Sequence, residues 1–197
     1  QVEVTIPVLK LKEVPLKFEF SNVPAGYDPA ELNASISPAT IRIAGAADTV
    51  DGIESVNAGF INLARVQLGK AETLKIQLSE GLVNVDDVQE ATVTFDTSGY
   101  GEPRAITVSD IRVVNAPSGV DVKVITESIN NVTLVGEAEE LAAISPSDVI
   151  AQVDASAQNI TVKGSGQQQF SAQIIVTGTK TVFATGAYSV LCEITVK

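Results

Sequence analysis

Carboxylates are the side chains best placed by number to do chemistry in this sequence. There are 24 Asp and Glu against 13 Lys and Arg, and no His. Three tight groups stand out: Asp28 with Glu31, Asp86 and Asp87 with Glu90, and Glu137 with Glu139 and Glu140. Paired carboxylates hydrolyse glycosides when they flank a cleft and one of them holds its proton. Trp is absent, so no indole stands beside these groups to stack a sugar ring, and they read as solvated faces. The run VNVDDVQE offers Asp86, Asp87 and Glu90 as oxygen ligands, but lacks the Asp-x-Asp-x-Asp-Gly spacing that wraps Ca²⁺. Zinc would need more than one Cys in the absence of His. KGSGQQQ carries Gly-x-Gly without a following Lys-Ser/Thr, and reads as a flexible loop. Cys192 alternates with Tyr188, Val190 and Ile194 in YSVLCEITV, which reads as burial of a small apolar side chain; a nucleophile would want a basic partner. No catalytic, metal or cofactor-binding residue is therefore assigned, and no cofactor is expected.

The net charge of −11 disfavours nucleic acid and direct adsorption to an anionic membrane, both of which reward clustered cations. A chain that is 45% apolar and 19% charged is expected to fold. Its apolar residues are mostly Val, Ile, Leu and Ala, and aromatics are only 5%, a palette that suits two small β-rich cores. Without Met, the chain is expected to be processed or cut from a longer product. No run of 18 apolar residues exists, so neither a membrane span nor a signal peptide is expected within it.

The elements that position these residues are strands. Period-two alternation runs through VEVTI (Val2, Val4, Ile6), PLKFEF (Leu16, Phe18, Phe20), TIRIAG, TLKIQL and ATVTF, then DIRVV, DVKVI, NVTLVG, NITVK (Ile160, Val162), FSAQIIV and YSVLCEITV. Two short helices are expected, in AADTVDGI with Asp48 as N-cap and in AEELAAI. DTSGYGEPRA reads as a connecting loop, which divides the chain into residues 1–98 and 99–197.

The two halves are copies. SNVPAGYD and VNAPSGVD share Asn-x-Pro-x-Gly-apolar-Asp, 93 residues apart. At an offset of 91, Ile41, Ile43, Gly45, Val50 and Ile53 match Val132, Leu134, Gly136, Leu141 and Ile144. FINLA matches QVDAS at an offset of 92. Ordered matches at a near-constant offset mark an internal repeat. The shared residues have architectural reasons. Pro24 and Pro117 preset φ at the second turn position, Gly26 and Gly119 take positive φ at the fourth, and Asn22 and Asn115 bond back to the turn as Asx motifs. Gly45 and Gly136 let a strand turn into its helix, and Val50 with Ile53, and Leu141 with Ile144, place one helical face on the sheet.

This order of strand, Asn-x-Pro-x-Gly turn, Ser-Pro-Ala-Thr-Ile-x-Ile-x-Gly, short helix and V/I-[DN]-x-[AS] segment resembles the YbbR domain. Two tandem copies cover most of the chain. The second has Ile129 in place of Pro38, and the Asp of the family's Val-Asp-Leu-Ser segment is Asn62 in the first copy and Asp154 in the second. The resemblance implies a mainly β fold of two tandem repeats, each with a short helix, similar to the C-terminal domain of an L25-type ribosomal protein. It also implies a non-enzymatic extracytoplasmic part of a protein anchored to the bacterial cytoplasmic membrane through an N-terminal helix. The expected partner is a membrane diadenylate cyclase or another protein, with cyclic di-AMP synthesis regulated by protein contact. The alternative is a cell-surface adhesion or wall-spacing module of immunoglobulin-like type.

Overall fold

The computed structural model describes residues 8–196; the alternation over Val2, Val4 and Ile6 lies outside them. The chain is mainly β. In order it forms β1 (Lys10–Ser21), a 3₁₀ turn (Pro29–Glu31), β2 (Ala34–Ser37), β3 (Thr40–Gly45), α1 (Ala47–Asp51), β4 (Val56–Asn62), β5 (Glu72–Lys75), β6 (Val83–Asn84) and β7 (Glu90–Phe95). Then follow β8 (Arg104–Val108), β9 (Asp110–Val114), β10 (Val120–Val124), β11 (Ile129–Gly136), α2 (Ala138–Ala143), β12 (Val149–Asp154), β13 (Ser165–Val176), β14 (Val182–Thr185) and β15 (Tyr188–Val196).

Two compact units form. The first holds the described residues up to Ser21, Asn33–Ile61 and Gln67–Asp96. The second holds everything from Thr97 onward together with two earlier stretches, Asn22–Leu32 and Asn62–Val66. The packing units are thus not the continuous spans into which the repeats divide the sequence.

Strand order repeats. The first unit has a sheet β4-β1-β3-β6 and a sheet β2-β7-β5. The second has β14-β11-β8 and β10-β15-β13-β12-β9. Let β12 stand for β4, β8 with β9 for β1, β11 for β3 and β14 for β6, and the first order is recovered; β10-β15-β13 likewise repeats β2-β7-β5. The copies differ in two places. The twelve-residue β1 is matched by two five-residue strands. The twelve-residue β13 pairs with both β15 and β12, which joins sheets in the second unit.

Alternation built both cores. Val14, Leu16, Ile41, Ile43, Val56, Ala58 and Ala91 bury together in the first unit, with Ile53 packed beside them. Val132, Leu134, Leu141, Ile144, Val153, Phe170, Val190, Cys192 and Ile194 do so in the second.

Local expectations fail where a neighbour supplies what propensity did not. Ala46, not Asp48, is the N-cap of α1, and Asp48 lies in the first turn, where a negative charge suits the helix dipole. KGSGQQQ is not a free loop: Ser165 onward is strand, because Gln167, Gln168 and Gln169 pair with Glu193, Cys192 and Leu191 of β15. NITVK is not a strand. Gln168 Oε1 accepts the Thr161 N–H (2.9 Å), replacing a ladder bond, while Ile160 and Val162 still pack on the core.

Candidate functional site

The repeated turn closes identically in both copies. Tyr27 N–H donates to Pro24 O (3.2 Å), and Val120 N–H donates to Pro117 O (3.0 Å). Proline therefore stands at the first turn position and glycine at the third, one place earlier than the sequence reading. Gly26 has φ 89° and Gly119 φ 78°, the left-handed requirement of a type II turn. Asn22 and Asn115 are left-handed too (φ 49° and 53°), a backbone state that Asn tolerates better than most residues.

The Asx geometry expected of these asparagines occurs elsewhere. Asn62 Oδ1 accepts the Ala64 N–H and Asp154 Oδ1 accepts the Ser156 N–H, each at 3.0 Å. The Asn-for-Asp departure between the copies thus leaves the same oxygen doing the same job. Asn115 Nδ2 instead donates to Asp154 Oδ2 at 3.1 Å, tying turn to segment.

Gly45 and Gly136 serve close approach. A Cβ on Gly45 would lie 2.9 Å from Gly81 O, and one on Gly136 would lie 2.4 Å from Thr181 O. In each case the strand entering β6 or β14 takes the space that a side chain would fill.

A pairing unread in the sequence lies at the helix ends. Lys12 Nζ donates to the carbonyls of Val50, Asp51 and Ile53, the last at 2.7 Å. Arg104 Nη1 donates to Leu141 O (3.1 Å) and Ile144 O (2.8 Å). Val50 matches Leu141 and Ile53 matches Ile144, so a cation satisfies the same C-terminal carbonyls in both copies. Lys12 and Arg104 stand at the offset of 92 that relates FINLA to QVDAS, which is the signal that would have revealed them.

One concavity is a cleft of about 440 Å³ in the second unit. Asn22 and Pro24 line it from one early stretch, and Asn62, Ala64 and Arg65 from the other. Gln152, Asp154, Gln158, Gln173, Gly186 and Tyr188 complete its polar wall. Asp154 is held below the usual carboxylate range, first by the Ser156 hydroxyl and then by Asn115. It is a charged acceptor at neutral pH, not a stored proton. Amides, one cation and one fixed carboxylate stand among an apolar lining of Pro24, Ala157, Ala172, Ile174 and Ala184, so the cleft offers both polar and apolar contacts.

A second, shallower groove of about 680 Å³ runs past Gly26, Glu31, Glu140 and Thr177–Thr181. Glu140 accepts from the Thr179 hydroxyl and from Thr181 Oγ1 (2.7 Å), which lowers its pKa. Of the sequence-derived motif residues, the cleft gathers Asn22 and Pro24 and the groove gathers Gly26. Gly45, Ile53, Asn115, Pro117, Gly119, Gly136 and Ile144 line neither. Among the described residues, no three His, Cys, Asp or Glu side chains converge as a metal site; Asp86 instead grips the Arg42 N–H and Nε at 2.6 and 2.7 Å.

Comparison with known proteins gives no match among curated proteins. The solution structure of SuR18C from Streptococcus thermophilus is similar at 20% identity and a TM-score of 0.36, over 46% of this chain and 89% of that one. The crystal structure of a YbbR-like protein from Streptococcus pneumoniae TIGR4 is similar at 16% identity and a TM-score of 0.33, over 99% and 98%. The YbbR-like protein family matches residues 14–129, more than half of the sequence. By that match the chain belongs to the YbbR-like family.

Proposed function

We propose that this chain is a non-enzymatic, extracytoplasmic part of a membrane-anchored protein that regulates a membrane diadenylate cyclase by protein contact. Membership of the YbbR-like family carries the reading. The cleft is consistent with it, since its carboxylate is fixed in the charged state by hydrogen bonds and is suited to binding. Regulation of this kind requires contacts that differ between two states of the cyclase. The test is to co-express the membrane-anchored parent with the diadenylate cyclase of the same organism and measure cyclic di-AMP in membranes. We expect output to change by roughly twofold or more when the domains are deleted, the scale of a modest coupling energy. Unchanged output, with no co-purification of the two proteins, overturns the proposal.

A further inference from the structure

The two copies differ in what covers the outer face of the central sheet. In the second unit Val135 and Phe183 pair across β11 and β14, on the side away from the core that holds Leu134, Val182 and Ala184. They are 7% and 1% exposed. The cover is the early stretch Asn22–Leu32: the Tyr27 ring lies on the Phe183 ring with centroids 4.4 Å apart. Asp28 N–H donates to Lys180 O at 3.3 Å beside it.

The equivalent row in the first unit is Leu11, Ala44 and Val83, paired across β1, β3 and β6. Leu11 and Val83 are 54% and 53% exposed, and Val85, on the same face, is 42% exposed. One fold therefore carries this face twice, once covered by the arm and once with Leu11 and Val83 about half exposed on either side of a buried Ala44. A β-sheet face lined by Leu and two Val and left in water is unusual.

We propose that the bare face receives the Asn-x-Pro-x-Gly arm of a further YbbR-like repeat placed on its N-terminal side, as Asn22–Leu32 covers the second unit. The occupant is read from the covered copy, where the Asn22–Leu32 arm takes this place. The arm carries Asp28 and Glu31 and no Lys or Arg, and in the second unit Glu31 shares a groove with Lys180. The charged residues on the bare face itself are Arg42, two residues before Ala44 and paired with Asp86, and Glu13 opposite it on β1, whereas Lys10 and Lys12 are engaged by α1 on the other side of the strand. A second copy of this chain is a poorer occupant. Its own Asn22–Leu32 is already engaged, and in its second repeat Gly119 leads directly into β10 at Val120, with no intervening arm. The inference rests on the duplication and stands apart from the regulatory reading.

The test adds an extra copy of residues 10–101 directly before Lys10, so that Gly101 of the added copy meets β1 as Gly101 meets Glu102 in the natural chain. Val83→Cys in the original repeat supplies a thiol for timed labelling, against the buried Cys192 as a silent background. Labelling should slow by roughly tenfold or more in the longer chain, as burial in a folded contact demands. Tyr27→Ser in the added copy alone should restore it. Equal rates with and without the added copy overturn the proposal, and so does protection that ignores the Tyr27 change. Should the longer chain fold badly, a peptide of residues 21–33 at millimolar concentration should slow labelling of the Val83→Cys chain about twofold, as half-occupancy requires; no slowing overturns it.

Discussion

At Gly136 the missing side chain is a packing requirement. Gly136→Ala would press Cβ onto Thr181 O and Val182 Cα. We expect a loss of about 3 kcal/mol, the upper part of the overpacking range. Gly45→Ala, with a looser contact to Gly81 O, should cost about 1–2 kcal/mol. Gly164→Ala has nothing within 4 Å but a φ of +80°, and should cost about 1 kcal/mol through backbone strain alone. Urea midpoints of the three variants check that ranking. Two phenols make a pH prediction. Buried Tyr27 and half-buried Tyr100 lie beside one another with both hydroxyl oxygens shielded from solvent, and neither hydroxyl makes a hydrogen bond of ordinary geometry. Burial above all pushes both pKa values up. The folded state thus keeps protons that the unfolded chain releases, so this contribution is intact below about pH 10 and declines above it. Tyr27→Phe should weaken that alkaline limb while leaving neutral stability within about 1 kcal/mol. Thermal melts from pH 8 upward read both. At the acid end the sign reverses. The lowered pKa values of Glu140 and Asp148 give stability present above about pH 4 and lost as pH falls through their folded values.

At the scale of elements, the two helices are short and receive help from outside. α1 has five residues and α2 six, and neither N-cap makes a side-chain capping bond. The strand cation at each C-terminus compensates. Arg104→Ala should cost about 2 kcal/mol, since hydrogen bonds to a charged donor exceed neutral ones, and Arg104→Lys should recover part of it because Lys12 already does this work in the first unit. Chemical denaturation of both variants measures this. Strands were legible because alternation survives burial on one face: Val14 and Leu16, or Val190, Cys192 and Ile194, announce their sheets directly. Ile160 and Val162 alternate equally well and form no strand, because Gln168 captures the Thr161 N–H. That is a tertiary event which period cannot foresee. The turn was legible as a turn, but its register was not. Pro favours the second position in general, and only the Tyr27-to-Pro24 bond shows it at the first.

At the scale of the molecule, duplication was readable in Asn-x-Pro-x-Gly and in the two Gly positions, and it reappears as repeated strand order. The cleft was not readable, because its walls come from Asn22, Asn62 and Asp154, which are far apart in sequence and are brought together by packing. The second unit's dependence on early stretches yields a prediction. A fragment of residues 97–197 lacks Tyr27, Leu32, Leu63 and Val66, all buried in the full chain. It should bind an apolar dye and lose cooperative unfolding, because Phe183 and Val135 have no cover. A cooperative, dye-silent fragment would contradict that account. The same feature orders events during synthesis. Asn22–Leu32 leaves the ribosome long before β14 and β15 exist, so Tyr27 and Leu32 begin life as apolar side chains without a destination. Only when β14 and β15 emerge can this loop find its place.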